Sequence, residues 1–173
     1  MMRKCLTASL LALAAAGVAH AAATAEVELK PTVGSTTKGT VRFTQQDGQL
    51  RISADIAGLA PGVHGFHLHE KGDCSAPDAT SAGGHFNPSS QQHGGPGQGA
   101  HHGGDFGNIT ADASGKASLN LSVPVSQISL DEGAPNNIVG RGMIVHADPD
   151  DFVTQPTGNA GKRLACGVVV AGK

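Results

Sequence analysis

Tryptophan and tyrosine are absent from the 173-residue chain, and five phenylalanines supply all of its aromatic side chains. A core built from this sequence must rest on small aliphatic residues packed around those few rings. Basic residues are not in excess either. Twelve lysines and arginines stand against 14 acidic residues, for a formal net charge of −2. Nothing in that balance suggests a phosphate-binding surface, so no nucleic-acid partner is expected. No window after the N-terminal segment repeats at a helical period, which argues against a helical bundle.

The apolar run from Leu6 to Val18 is too short to span a bilayer with its flanks, so no stable membrane insertion is expected. Arg3 and Lys4 precede it and Ala19-His20-Ala21 follows it, the pattern of a secretory leader over residues 1–21. Residues 22–173 then form a single domain with one core. Cys5 lies before the apolar run, which does not fit lipoprotein attachment, and leaves with the leader. Without the leader the chain has 10 basic against 14 acidic residues, a net charge of −4, and eight histidines. Cys74 and Cys166 remain, an even count in an exported chain, and are read as a disulfide tying a loop to the last strand.

Between residues 26 and 57 apolar and polar residues alternate: Val27 and Leu29, Val41 and Phe43, then Leu50, Ile52, Ala54 and Ile56. A period of two means half-buried strands. Asp47-Gly48 between two of these runs is a hairpin signal, and a second hairpin is expected around Ser114-Gly115, before the alternating Ala117, Leu119, Leu121 and Val123. Short alternating strands and Gly-rich turns point to an all-β, antiparallel sandwich or barrel. Residues 70–105 break the pattern with Gly, Pro, Ser and His, and residues 147–162 form a second polar loop before the final strand LACGVVV. Loops of the first kind are functional or disordered, and a loose metal-scavenging tract is the bland alternative.

The histidines carry the chemistry. In GFHLHE, His67 and His69 share one strand face while Phe66 and Leu68 share the other. In GMIVHA, His146 lies opposite Val145 and Met143. With the apolar members in the core, these three histidines point out of the barrel, and the long loop must fold back over them. His64 shares the Phe66 face and reads as a structural histidine bonded to backbone. The loop supplies His85 in GGHFNP, His93 in HGGPG, and His102 with Asp105 in HHGGD. These seven candidate ligands exceed what one ion uses. They divide into four imidazoles around one ion and three imidazoles plus a carboxylate around another, if one histidine is shared. Nitrogen donors suit copper and zinc rather than magnesium or calcium, with iron in a facial triad still open. Paired cysteines leave no thiolate for a Cys-rich zinc or blue-copper site.

GFHLHEKGDC, AGGHFNP, HGGPG, HHGGDFGN, GRGMIVHAD and GNAGKRLACGV, in that order, closely resemble the signature segments of copper/zinc superoxide dismutase. The short stretch between His69 and the loop cysteine resembles the exported bacterial branch, which implies a periplasmic location. The resemblance implies an eight-stranded Greek-key barrel with its sites on the outer face and two long loops forming them. It makes His67, His69, His85 and His146 the copper ligands, and His85, His93, His102 and Asp105 the zinc ligands, one ion of each per subunit. His85 becomes the bridging imidazolate that takes a proton when copper is reduced. His102 is favoured over its neighbour His101 by the H-x-G-D spacing. Asp150 matches a carboxylate that accepts hydrogen bonds from His67 and His93, while Asp148 and Asp151 read as solvated loop charges. Arg163 resembles the arginine that guides superoxide, the small-molecule substrate implied. Where many relatives carry steering lysines, Ala147 to Gly161 holds no lysine or arginine, leaving Lys71 and Lys162 as candidates. A non-enzymatic copper or zinc buffer with the same ligands is the competing function. The quaternary state stays open between monomer and homodimer.

Overall fold

The computed structural model describes residues 22–172; the leader expected over residues 1–21 lies outside them. The alternating runs become β1 (Ala23–Pro31), β2 (Lys38–Gln46) and β3 (Gln49–Ala57). Their apolar members are buried: Val27 and Leu29, Val41 and Phe43, Leu50, Ile52 and Ile56 are all at most 3% exposed. Five further strands follow, β4 (Gly62–His69), β5 (Asp105–Ala111), β6 (Lys116–Pro124), β7 (Gly142–His146) and β8 (Arg163–Val168), then a two-residue β9 (Val170–Ala171). All pairings are antiparallel along the path β5-β4-β7-β8-β1-β2-β3-β6, with β9 added to β1. The chain leaves β3, runs through β4 and β5 on the opposite sheet, and returns as β6 beside β3. That return is a Greek key, and the eight long strands form a nearly closed barrel.

Asp47 and Gly48, with φ of 52° and 75°, join β2 to β3 in the two-residue turn whose twist matches the strands it connects. The second hairpin differs from the sequence expectation. A turn does form, with the Asp112 carboxylate accepting from Ser114 and Lys116 backbone N–H. The strands it joins, however, stand at opposite ends of the sheet path, so the turn carries the chain from one sheet to the other. The final run also differs, because LACGVVV is not one strand. The Val169 peptide turns away from β1, its N–H donating to Arg141 and its carbonyl accepting from Gly140, and the chain rejoins β1 only at Val170.

The parity of β4 positions everything that follows. Phe66 and Leu68 enter the main core beside Phe43, Phe106 and Met143. His67 and His69 point to the other side and are nonetheless fully buried, because residues 70–104 fold over that face. Strand β7 is likewise buried on both sides. A smaller apolar cluster packs Ala79 and Ala82 of the loop against Ile144 of β7 and Cys166 of β8. The Cys74–Cys166 disulfide, with Cα atoms 5.8 Å apart, fastens the loop to β8.

This disulfide spans 92 positions. A loop of that size contributes about 4 to 5 kcal/mol in the chain-entropy account. Replacing both cysteines by serine is expected to lower unfolding stability by up to that amount, as read from urea denaturation of the metal-free protein. An unchanged midpoint would place the stability of this loop elsewhere.

Candidate metal centre

Three of the candidate ligands come from rigid strands, His67 and His69 from β4 and His146 from the end of β7. His85 arrives from the loop. It is seated by a one-residue bridge to His69 and by the adjoining bond from the Phe86 N–H to the Leu68 carbonyl, 2.8 Å. His93 and His102 lie farther along the same loop, and Asp105 opens β5. The fold gathers these residues into two buried groups, His67, His69, His85 and His146 in one and His85, His93, His102 and Asp105 in the other. Within each group one donor atom per residue lies within 4.8 Å of all the others, and His85 belongs to both. His101 joins neither; its Nδ1 faces the Gly99 carbonyl at 2.8 Å. His64 stays on the core side, Nδ1 3.0 Å from the His146 carbonyl and Nε2 2.9 Å from that of Ala60.

The donors fit cations. His67 Nδ1, His85 Nε2, His93 Nδ1 and His102 Nδ1 are buried without a hydrogen-bond partner, a state that costs about 1 to 3 kcal/mol per atom in a folded protein. His93 Nδ1 and His102 Nδ1 do lie 3.1 and 3.3 Å from the Asp105 carboxylate. Those contacts lack hydrogen-bond direction, so we read them as neighbouring ligands of one centre. In the first group, His69 Nδ1 donates to the Gly83 carbonyl at 2.9 Å and His146 Nδ1 faces that of Gly161 at 3.4 Å. Their Nε2 atoms then present lone pairs to each other across 3.3 Å, an arrangement a cation resolves.

Asp150 links the groups. Its buried carboxylate accepts from His67 Nε2 at 2.7 Å and His93 Nε2 at 2.9 Å, leaving each Nδ1 turned inward. Gly158 makes room for it, since a Cβ there would strike both Asp150 and His93, and its φ of +66° is one that side chains avoid. Asn108 was not singled out in the sequence, although it sits in the HHGGDFGN segment. Its amide donates to the Asp150 carbonyl at 2.9 Å and accepts from the Asp150 N–H at 2.8 Å. Asp151 is exposed but is more than a solvated charge, because its carboxylate accepts from the Val153 and Thr154 N–H groups and organises the turn.

Burial pushes His67 down to about 4 and carries His69 and His146 well below the ordinary imidazole range, so these three imidazoles are neutral and ready to bind. Burial also works against protonation of His93, but Asp105 and Asp150 outweigh it and raise this group to about 9. Both carboxylates sit well below their usual range, with burial opposed and overcome at Asp105 by the His85 hydrogen bond and the adjacent His93 ring, and at Asp150 by hydrogen bonds from His67 and His93.

Arg163 begins β8 opposite His146. Its Nη1 donates to the Ala79 carbonyl at 2.6 Å and its Nη2 to that of Gly83 at 2.7 Å. Gly83 thus binds both the guanidinium and His69. Lys162 and Arg163 line a cleft of about 380 Å³ with Asp78 and Thr80. Lys71 is not among its lining residues. A larger hollow of about 710 Å³, on the β1-β2-β3-β6 side, contains none of the histidines.

The family model of copper/zinc superoxide dismutase matches residues 37–169. The chain belongs to this family. Among solved structures it is similar to a crystal structure of the clock protein EA4, with 40% identity over 85% of this chain and 93% of that one, at a TM-score of 0.75. Membership in the copper/zinc superoxide dismutases implies copper and zinc as the resident ions, and the orphaned imidazole nitrogens suit both metals.

The imidazole shifts set a pH signature for the metal-free protein. His67 at about 4 lies below its unfolded value of 6.5, so the unfolded chain binds the proton first and stability falls as pH drops from 6.5 towards 4. His93 at about 9 has the opposite sign, and its contribution is lost as pH rises from 6.5 to 9. The melting temperature is expected to peak near neutrality and decline on both sides. Zinc-loaded protein should lack the alkaline decline, since the metal takes the place of the proton on His93. A melting temperature that rises steadily to pH 9 without metal would contradict this.

Proposed function

We propose that this chain is an active superoxide dismutase, converting two superoxide anions and two protons into oxygen and hydrogen peroxide. The observation that carries this reading is His85, one imidazole shared by two buried donor groups of different composition. The four-imidazole group would hold copper, and the group containing Asp105 would hold zinc. When bound, copper supplies a one-electron couple that accepts an electron from one superoxide and returns it to another, and zinc supplies a fixed, redox-inert positive charge.

The protein's own part is positioning, proton handling and anion capture. Asp150 fixes the tautomers of His67 and His93, and the carbonyls of Gly83 and Gly161 fix those of His69 and His146. His85 is held at Nδ1 by Asp105, 2.7 Å away, which leaves Nε2 as the atom that can take up and release a proton without the ring leaving its place. Arg163, anchored on two carbonyls, keeps N–H groups for a small anion at the edge of the first group. The surrounding burial keeps bulk water from the imidazoles, each of which is at most 6% exposed. We place the protein in the periplasm. The secretory pattern over residues 1–21 supports export, and a Cys74–Cys166 disulfide persists in an oxidising compartment.

Protein lacking residues 1–21 and loaded with copper and zinc should dismutate superoxide rapidly. His146→Ala should abolish turnover. Arg163→Ala should slow it by about 10- to 100-fold, within the roughly 10- to 1,000-fold that focused charge contributes to capture of an anion. The rate should fall with ionic strength, and less so in Lys162→Gln. A chain that binds both metals stoichiometrically without turnover would instead be a metal-buffering or delivery protein.

A further inference from the structure

Gln155 lies in the loop between β7 and β8, where no motif draws attention to it. Its side-chain amide meets the peptide group of His93 at two points. The His93 N–H donates to Oε1 at 2.9 Å, and Nε2 donates to the His93 carbonyl at 2.9 Å. A third bond, from Nε2 to the Val153 carbonyl at 3.3 Å, steadies the amide from its own loop. Among the described residues, the His93 peptide N–H and carbonyl make no other hydrogen bonds. His93 lies in a stretch without regular secondary structure, so no strand ladder fixes its backbone.

The chemistry of this clasp is selective. Holding a peptide N–H and C=O together requires an acceptor and a donor on one planar group, which a side-chain amide supplies and a carboxylate or an ammonium does not. The same loop also carries Asp150, whose carboxylate holds the far side of the His93 ring at Nε2, 2.9 Å away. Asp150 alone would leave the imidazole free to swing about a single bond. With the backbone clasped as well, the ring is held from two ends and Nδ1 is aimed at Asp105 and the inner face of the second group. The first group has no comparable dependence, since His67, His69 and His146 stand on strands.

We propose that Gln155 is the positioning residue that aims His93 into the second metal group, and that it thereby sets how tightly and in what geometry that group holds its ion. This rests on the reading that the second group binds a metal. Cobalt(II), whose visible bands report tetrahedral coordination, is the probe. Gln155→Ala removes both bonds, and Gln155→Glu keeps an acceptor but loses the donor. Each variant should weaken cobalt binding at the second group by about 10- to 100-fold in chelator competition, the usual effect of removing a residue that orients a ligand. Each should also alter the cobalt spectrum, while copper binding at the first group stays at the wild-type value. Because Gln155 is exposed, neither variant removes core packing. Wild-type affinity and spectrum in both variants would overturn the inference, as would an equal loss of copper from the first group. Failure of the wild type itself to take cobalt(II) would instead overturn the metal reading of the second group, and this inference with it.

Discussion

A single buried carboxylate holds the two halves of this site in register. Asp150 is 3% exposed and bonds two imidazoles that belong to different donor groups. A buried charge is tolerated only where its lone pairs are matched. Here His67, His93 and the Phe152 N–H match them, while Asn108 pins the backbone that carries the carboxylate. The arrangement couples a strand residue, His67, to a loop residue, His93, through a third element that would otherwise have no reason to lie there. The loop from β7 to β8 is therefore held over the site by the site's own chemistry.

A division of labour between barrel and loops follows. The strands offer precision, since the β4–β7 register sets His67 and His69 and the β7–β8 pairing sets His146 opposite Arg163. The loops offer coverage, burying those histidines on a face that in an ordinary antiparallel barrel would be wet. Coverage needs fastening, because residues 70–104 contribute little apolar surface. The disulfide, the small cluster around Ala79 and Ile144, and the guanidinium of Arg163 do that fastening. Arg163 thus ties the start of β8 to the loop at two points, the Ala79 and Gly83 carbonyls.

What the sequence discloses about this protein follows from which physical rules act locally. Strand parity is local, so the outward direction of His67 and His69, the inward direction of Phe66 and Leu68 and the Asp47-Gly48 turn were all readable. Pairing is not local. The Ser114-Gly115 signal marks a real turn, yet nothing in the sequence says that its flanking strands lie at opposite ends of the sheet path. The interruption at Val169 depends likewise on Arg141 and Gly140 offering bonds from elsewhere. The residues that gather into the two donor groups could be picked out because histidine and aspartate bear their chemistry in their type. Asn108 was less legible, and Gln155 was silent, because an amide clasping a distant peptide group leaves no periodicity, charge or spacing behind.

The energetics of the donor groups bear on folding as well as on chemistry. Four buried imidazole nitrogens have no hydrogen-bond partner among the described residues, and buried polar atoms left unpaired weigh against the folded form. A bound ion satisfies several of them at once and binds only the folded arrangement, so metal affinity becomes folding stability. The disulfide acts on the other side of the same equilibrium by restricting the unfolded chain. A loop of glycine, serine and histidine, with no apolar periodicity, can in this way be held closed without a core of its own. The disulfide, the small apolar cluster and the donor groups share that task, over a barrel face on which three histidines point outward.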